Sequence, residues 1–149
     1  MNSQYGLDYI CDQDDAADLL LVPLQSESPM VQKVMFEMMA AMSLYKGSSE
    51  NNLDVGRTLV VETLDMLASS NNQTLALFLL EAITFTESEP FTIAFSTAVF
   101  KLINCLILSV PDLAVRKPFR KTFILEGLDL KITNLRKVAD SGELTILIL

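Results

Sequence analysis

Ser28-Pro29-Met30-Val31-Gln32-Lys33-Val34-Met35-Phe36-Glu37-Met38-Met39-Ala40-Ala41-Met42-Ser43-Leu44-Tyr45 shows the helical period most openly in this chain. Ser28 is a capping residue type, and Pro29 has the φ of a first helical position, where its missing N–H would have been unpaired anyway. Behind them Val31, Val34, Met35, Met38, Met39 and Met42 recur at intervals of three and four. That spacing puts apolar side chains on one face of an α-helix. The stretch predicts an amphipathic helix of about four turns, with Val31, Met35, Met38 and Met42 as its core stripe.

The same period recurs on both sides. Asp12 to Asp15 precede Ala16-Ala17-Asp18-Leu19-Leu20-Leu21, a short helix with a favourable negative start that ends near Pro23. Tyr5 to Cys11 predicts a further helical fragment. Lys46 to Asn52 has loop composition, after which Val55 to Ala68 resumes helical spacing through Leu59, Val60, Thr63, Leu64 and Leu67. Asn71-Asn72 are expected to start a helix through Leu75, Leu79, Leu80 and Ile83. Thr86-Glu87-Ser88-Glu89-Pro90 separates it from a long apolar helix, Phe91 to about Ser109, which Pro111-Asp112 break. A helix then ends at Gly127, a residue suited to a left-handed terminal position, and another runs from Leu128 to about Val138. Short and medium helices on short loops, several apolar on more than one face, fit stacked helical repeats better than a four-helix bundle.

Composition agrees with one all-α unit over residues 1–149. Half of the residues are hydrophobic, with five Gly and five Pro. No apolar run reaches the ~20 residues of a membrane span, and Met1 to Ile10 lacks the pattern of a signal peptide, so an intracellular chain with free Cys11 and Cys105 is expected. In that setting Asn72-Gln73-Thr74 is read as a helix start and not as a glycosylation site. The net charge is −8 with no histidine. It disfavours nucleic acid and anionic membrane as partners and draws in segments carrying Lys and Arg.

Catalysis has no visible machinery: no His, no glycine-rich phosphate loop, no Cys cluster, no nucleophile beside a base. Glu87 and Glu89 lie in a loop-like, solvated stretch, and no metal or cofactor is expected. What the helices offer instead is flanks. At 100° per residue Glu37, Ala41 and Leu44 fall together beside the core stripe of the Ser28–Tyr45 helix. By spacing alone this is a weakly exposed flank. On the Phe91–Ser109 helix Thr97, Lys101 and Asn104 form a polar strip, while Phe95, Val99, Leu102 and Leu106 point elsewhere. An asparagine in such a strip can both donate to and accept from the backbone of a bound peptide. Arg116 and Arg120, four apart, have the spacing of a carboxylate or phosphate clamp and are read as a tie between neighbouring helical units. The methionines are read mainly as core.

Several phrases, in order, resemble the formin homology 3 region, or diaphanous inhibitory domain, of diaphanous-type formins. Met1-Asn2-Ser3-Gln4-Tyr5-Gly6-Leu7 looks like the end of one armadillo repeat. Phe36 to Leu44 is similar to the family's "LLAALC" helix, and Lys101-Leu102-Ile103-Asn104-Cys105-Leu106 to its "LINAL" helix. After Asp112-Leu113, the residues Arg116, Arg120, Gly127-Leu128 and Leu135-Arg136 keep similar spacings. Pro118 departs from the pattern and predicts a late start or a kink in its helix.

The resemblance implies an armadillo-repeat-like right-handed α-solenoid, truncated at both ends, without the actin-assembling formin homology 2 domain. It implies a concave face that docks an amphipathic autoregulatory helix from the formin's own C-terminus. Release would come from a Rho-family GTPase, with actin affected only indirectly and a cytoplasmic, cytoskeleton-associated location. On these matches Glu37, Ala41, Leu44, Lys101 and Asn104 are contact positions, and Asn2, with Leu7 nearby, matches a comparable position one repeat earlier. The alternative is an unrelated armadillo or HEAT scaffold that binds another helical or extended peptide. The apolar Leu144 to Leu149 is expected to begin a further helix and, uncapped, to favour self-association.

Overall fold

The computed structural model describes residues 3–47, 54–84 and 90–140. They form eight α-helices and, among the described residues, no strand. The helices are α1 Ser3–Cys11, α2 Ala16–Leu24, α3 Pro29–Ser43, α4 Val55–Ser70, α5 Leu75–Ala82, α6 Pro90–Leu108, α7 Leu113–Leu125 and α8 Leu128–Asp140. Asn2, Glu87, Glu89 and Leu144–Leu149 lie outside the described residues.

Local chemistry sets most boundaries. Ser28 holds the extended conformation of an N-cap ahead of Pro29. The Asp112 carboxylate accepts from the Ala114 N–H at 2.8 Å and caps α7. Gly127, at φ +103°, makes the left-handed turn from α7 into α8, which a side chain would oppose. One boundary differs from expectation. Asn71-Asn72 close α4 and do not open α5: Asn72 takes φ +57°, its N–H donates to the Ser69 carbonyl and that of Gln73 to Ala68, both at 3.0 Å. This is a Schellman ending, which asparagine tolerates almost as glycine does. The cap of α5 is Thr74, whose hydroxyl accepts from the Leu77 N–H at 3.2 Å. Thr74→Ala is expected to cost about 1 kcal/mol, the usual worth of an N-cap, measured as a lower urea midpoint with unchanged slope.

Packing joins helices up to three apart in the chain. The most extensive contact is between α3 and α6, where the Phe36 ring meets Phe95 edge-on at 5.6 Å. Helix α2 packs on α3 and α4, α5 joins α4 to α6, α7 lies on α5 and α6, and α8 on α7. Met39, Met42, Val60, Leu64, Leu79, Leu102, Leu106 and Phe123 are fully buried at the centre. Most buried polar groups are paired, Arg57 Nε being an exception. The Ser96 hydroxyl accepts from the Thr84 N–H at 3.2 Å and donates to the Thr84 carbonyl at 2.7 Å, tying α6 to the end of α5. Lys131 Nζ donates to the Ile83 carbonyl at 2.6 Å and anchors α8 to the same corner.

Two further expectations need correction. The buried arc of α3 consists of Met35, Met39 and Met42 with Phe36, Ala40 and Ser43. Val31 is exposed and Met38 only half-buried. Because α6, α2 and α4 all pack on α3, its buried face widens toward the 36/40/43 row. Pro118 does not delay α7, which begins at Leu113 and runs through it. The bond lost is that to the Ala114 carbonyl, on an exposed stretch where water can replace it.

By length and composition α6 contains one segment, Phe91–Leu108, apolar enough to cross a bilayer. In the folded chain this apolarity has an internal cause, since α3, α5 and α7 all pack on the helix.

Candidate functional site

Helices α6, α7 and α8 enclose a groove of about 690 Å³. Its floor is apolar: Phe100, Ile103, Ile107, Leu128 and Ile132. Its rim is polar and mostly cationic, with Lys101 and Asn104 from α6, Arg116 and Arg120 from α7, and Arg136 from α8, against one carboxylate among the described side chains, Asp129. The positions follow from the helical period. Residues buried under α3 and α5 take up one side of α6, which leaves Thr97, Lys101, Asn104 and Leu108 along the strip left over. Leu108 is 50% exposed.

The groove thus brings together Lys101 and Asn104 and adds the two arginines read as a tie. Arg116 is partly such a tie: its Nε donates to the Val110 carbonyl at 2.7 Å, and a longer 3.5 Å contact reaches Pro111. That holds the start of α7 to the end of α6. Arg120 is exposed. Among the described side chains Lys101 and Arg120 have no carboxylate within ion-pair distance, and the Asn104 amide has no hydrogen-bond partner.

The α3 candidates form a separate surface. Glu37, Ala41 and Leu44 are all exposed on one flank of α3 and do not line the groove. The Glu37 carboxylate accepts from Lys33 Nζ at 2.8 Å, one helical turn away. Ala41 carries no such encumbrance, and Leu44 is 51% exposed. On α1, Leu7 is half-buried against the core, while Tyr5 and Tyr9 stand out at 74% and 69% exposure.

Both cysteines are free and half-buried. Burial pushes the Cys11 thiol up, with Asp12 and Asp8 adding to the effect. Burial also raises Cys105, and Lys101 opposes it in part. Thiols held protonated in this way are poor nucleophiles at neutral pH. Alkylation of either thiol by iodoacetamide at pH 7.5 is expected to be slower than that of an exposed cysteine in a peptide, a rate that mass spectrometry would give directly.

Comparison with known proteins points in one direction. The chain is 28% identical over 141 residues to inverted formin-2 of Xenopus laevis, and 28% identical over 142 residues to inverted formin-2 of Xenopus tropicalis. Its similarity to a formin runs through 94% of its length. The chain spans only 12% and 9% of those relatives' own lengths. No family model and no solved structure matches it.

Spacing within single helices does not show that these cations of α6, α7 and α8 converge on one rim, although the sequence carries a signal for it. Residues 101–149 hold eight of the eleven Lys and Arg and five of the nineteen Asp and Glu, a net +3, against −11 for residues 1–100. A single net charge hides that asymmetry.

Proposed function

We propose that the chain is a non-catalytic, protein-binding regulatory segment of a formin, built as stacked armadillo-like repeats, and that it docks an amphipathic helix. The observation that carries this reading is the α6 rim. Asn104 and Lys101 stand over an apolar groove with no hydrogen-bond partner for their side chains among the described residues, in a chain similar to formins through nearly all of its length. A docking surface for a helix needs an apolar bed with a few polar groups to fix register. The open α3 flank of Glu37, Ala41 and Leu44 supplies a second such row, on the helix that packs most extensively against α6. Packing between helices near one another in chain order supports the stacked-repeat reading.

In this reading the docked helix is an autoregulatory segment from the C-terminal part of a formin, bound within one chain or between chains. Docking restrains actin assembly carried out elsewhere, and a Rho-family GTPase relieves it. The setting is the cytoplasm, beside the cytoskeleton. The test is a fluorescence titration with a labelled leucine-rich amphipathic helical peptide. Saturable binding at micromolar concentration or tighter is the expected result. A flat titration to the solubility limit would remove the docking reading, and saturable binding confined to extended, non-helical peptides would favour an unrelated helical-repeat scaffold.

A further inference from the structure

Given that docking reading, on which this inference rests, we infer that the groove between α6, α7 and α8 receives an acidic flank: the docked protein helix carries Asp or Glu beside its apolar stripe where it crosses Lys101, Arg120 and Arg136. The argument is local. The chain as a whole is at −8, a value that alone predicts attraction to basic segments. Among the described side chains at the groove, four cations face one carboxylate, Asp129. Two of those cations, Lys101 and Arg120, have no acidic partner among the described side chains. The acidic excess lies in residues 1–100, and charges farther away than a Debye length, about 8 Å at physiological salt, are largely screened. An occupant therefore meets the local sign and not the net one.

Geometry adds to charge. Arg116 is held by the Val110 carbonyl through Nε, so its guanidinium keeps a fixed heading at the groove edge. A planar guanidinium held in place is suited to a carboxylate, which it can grip with two parallel hydrogen bonds. A basic segment entering the same groove would bring like charges together over an apolar floor, where water withdraws and repulsion strengthens.

The experiment uses the full chain and three peptides that share one amphipathic leucine-rich helix, flanked by Glu, by Lys or by Ser. The Glu-flanked peptide is expected to bind about ten-fold tighter than the Lys-flanked one at low salt, and the gap should narrow as salt rises. The double substitution Lys101→Glu with Arg120→Glu should reverse the order. Both side chains are exposed and lack partners among the described side chains, so the helical circular dichroism should stay unchanged. If the double variant fails to fold, the opposite salt trends of the Glu- and Lys-flanked peptides on the unaltered chain still decide the question.

Equal affinity for all three peptides would overturn this inference and leave the docking reading standing. No binding by any of them would remove both. Slow labelling of Lys101 by an amine-directed reagent in the free chain would mean that the groove is already filled, by a second copy or by the chain's own Leu144–Leu149, and would overturn the inference as well.

Discussion

Gly56→Ala is expected to destabilise the chain by about 3 kcal/mol, the upper part of the usual range for overpacking. On helix propensity alone the same change should stabilise it by roughly 1 kcal/mol, since Gly56 is the second residue of α4. The structure reverses the sign. Gly56 is buried where α4 crosses the end of α3, and a methyl group there would overlap the Met42 carbonyl oxygen and sit 3.1 Å from Tyr45 Cβ. Neither neighbour yields easily. The Met42 carbonyl is main chain, already fixed by the Tyr45 N–H at 2.9 Å. Two helices must therefore part, which loosens the packing around Met42 and Leu59. For a chain of this size the melting temperature should fall by roughly 6–12 °C. Gly6→Ala is the matching control: it lies in α1 with nothing near its added methyl and should be neutral or stabilising by up to about 1 kcal/mol. If both substitutions raised the melting temperature, the close crossing of α3 and α4 would be refuted.

Ala41→Asp separates the proposed docking surface from the fold. In the free chain residue 41 is exposed, so the new carboxylate keeps its water. The cost is a like-charge neighbour at Glu37, four residues earlier, worth about 0.5 kcal/mol. Under a docked helix the same carboxylate would lose its water with no cation opposite it. An unpaired buried charge should weaken peptide affinity by roughly two orders of magnitude or more. The contrasting substitution is Met39→Asp. Met39 is fully buried in the same helix, and a carboxylate there should unfold the chain. Met38, which the helical period put on the core stripe, is only half-buried and gives a less decisive contrast. An Ala41→Asp chain that melts normally and binds the peptide normally would show that the α3 flank takes no part in docking.

The two predictions differ in how far the sequence alone reaches. Apolar spacing was enough to place α3, α4, α6 and α8 within a few residues, because a helix buried along one side must repeat its apolar positions at the helical period. It was also enough to group Glu37 with Ala41 and Leu44, and Lys101 with Asn104, since same-face membership depends only on residue number. Spacing within one helix says nothing about which helices meet. The width of the buried arc on α3, the crossing at Gly56, and the convergence of Lys101, Arg120 and Arg136 from three helices are all products of packing. Asn72 shows a different limit. Asn-Asn is a good helix start and a good helix end, and only the left-handed backbone at Asn72 shows which.

The attachment of α1 has a kinetic consequence. None of residues 5–11 is fully buried, and the main helix partner of α1 is α4. A hydrogen bond from the Tyr45 hydroxyl to the Asp8 carboxylate adds a link from the end of α3. So few contacts make α1 a unit that opens at much lower free energy than the centre of the molecule, and its amides should exchange with deuterium long before those of α6. The delay before α1 exchanges then becomes a gauge of reach. A ligand confined to α6, α7 and α8 would leave it unchanged, whereas one long enough to cover Tyr5 and Tyr9 would slow it.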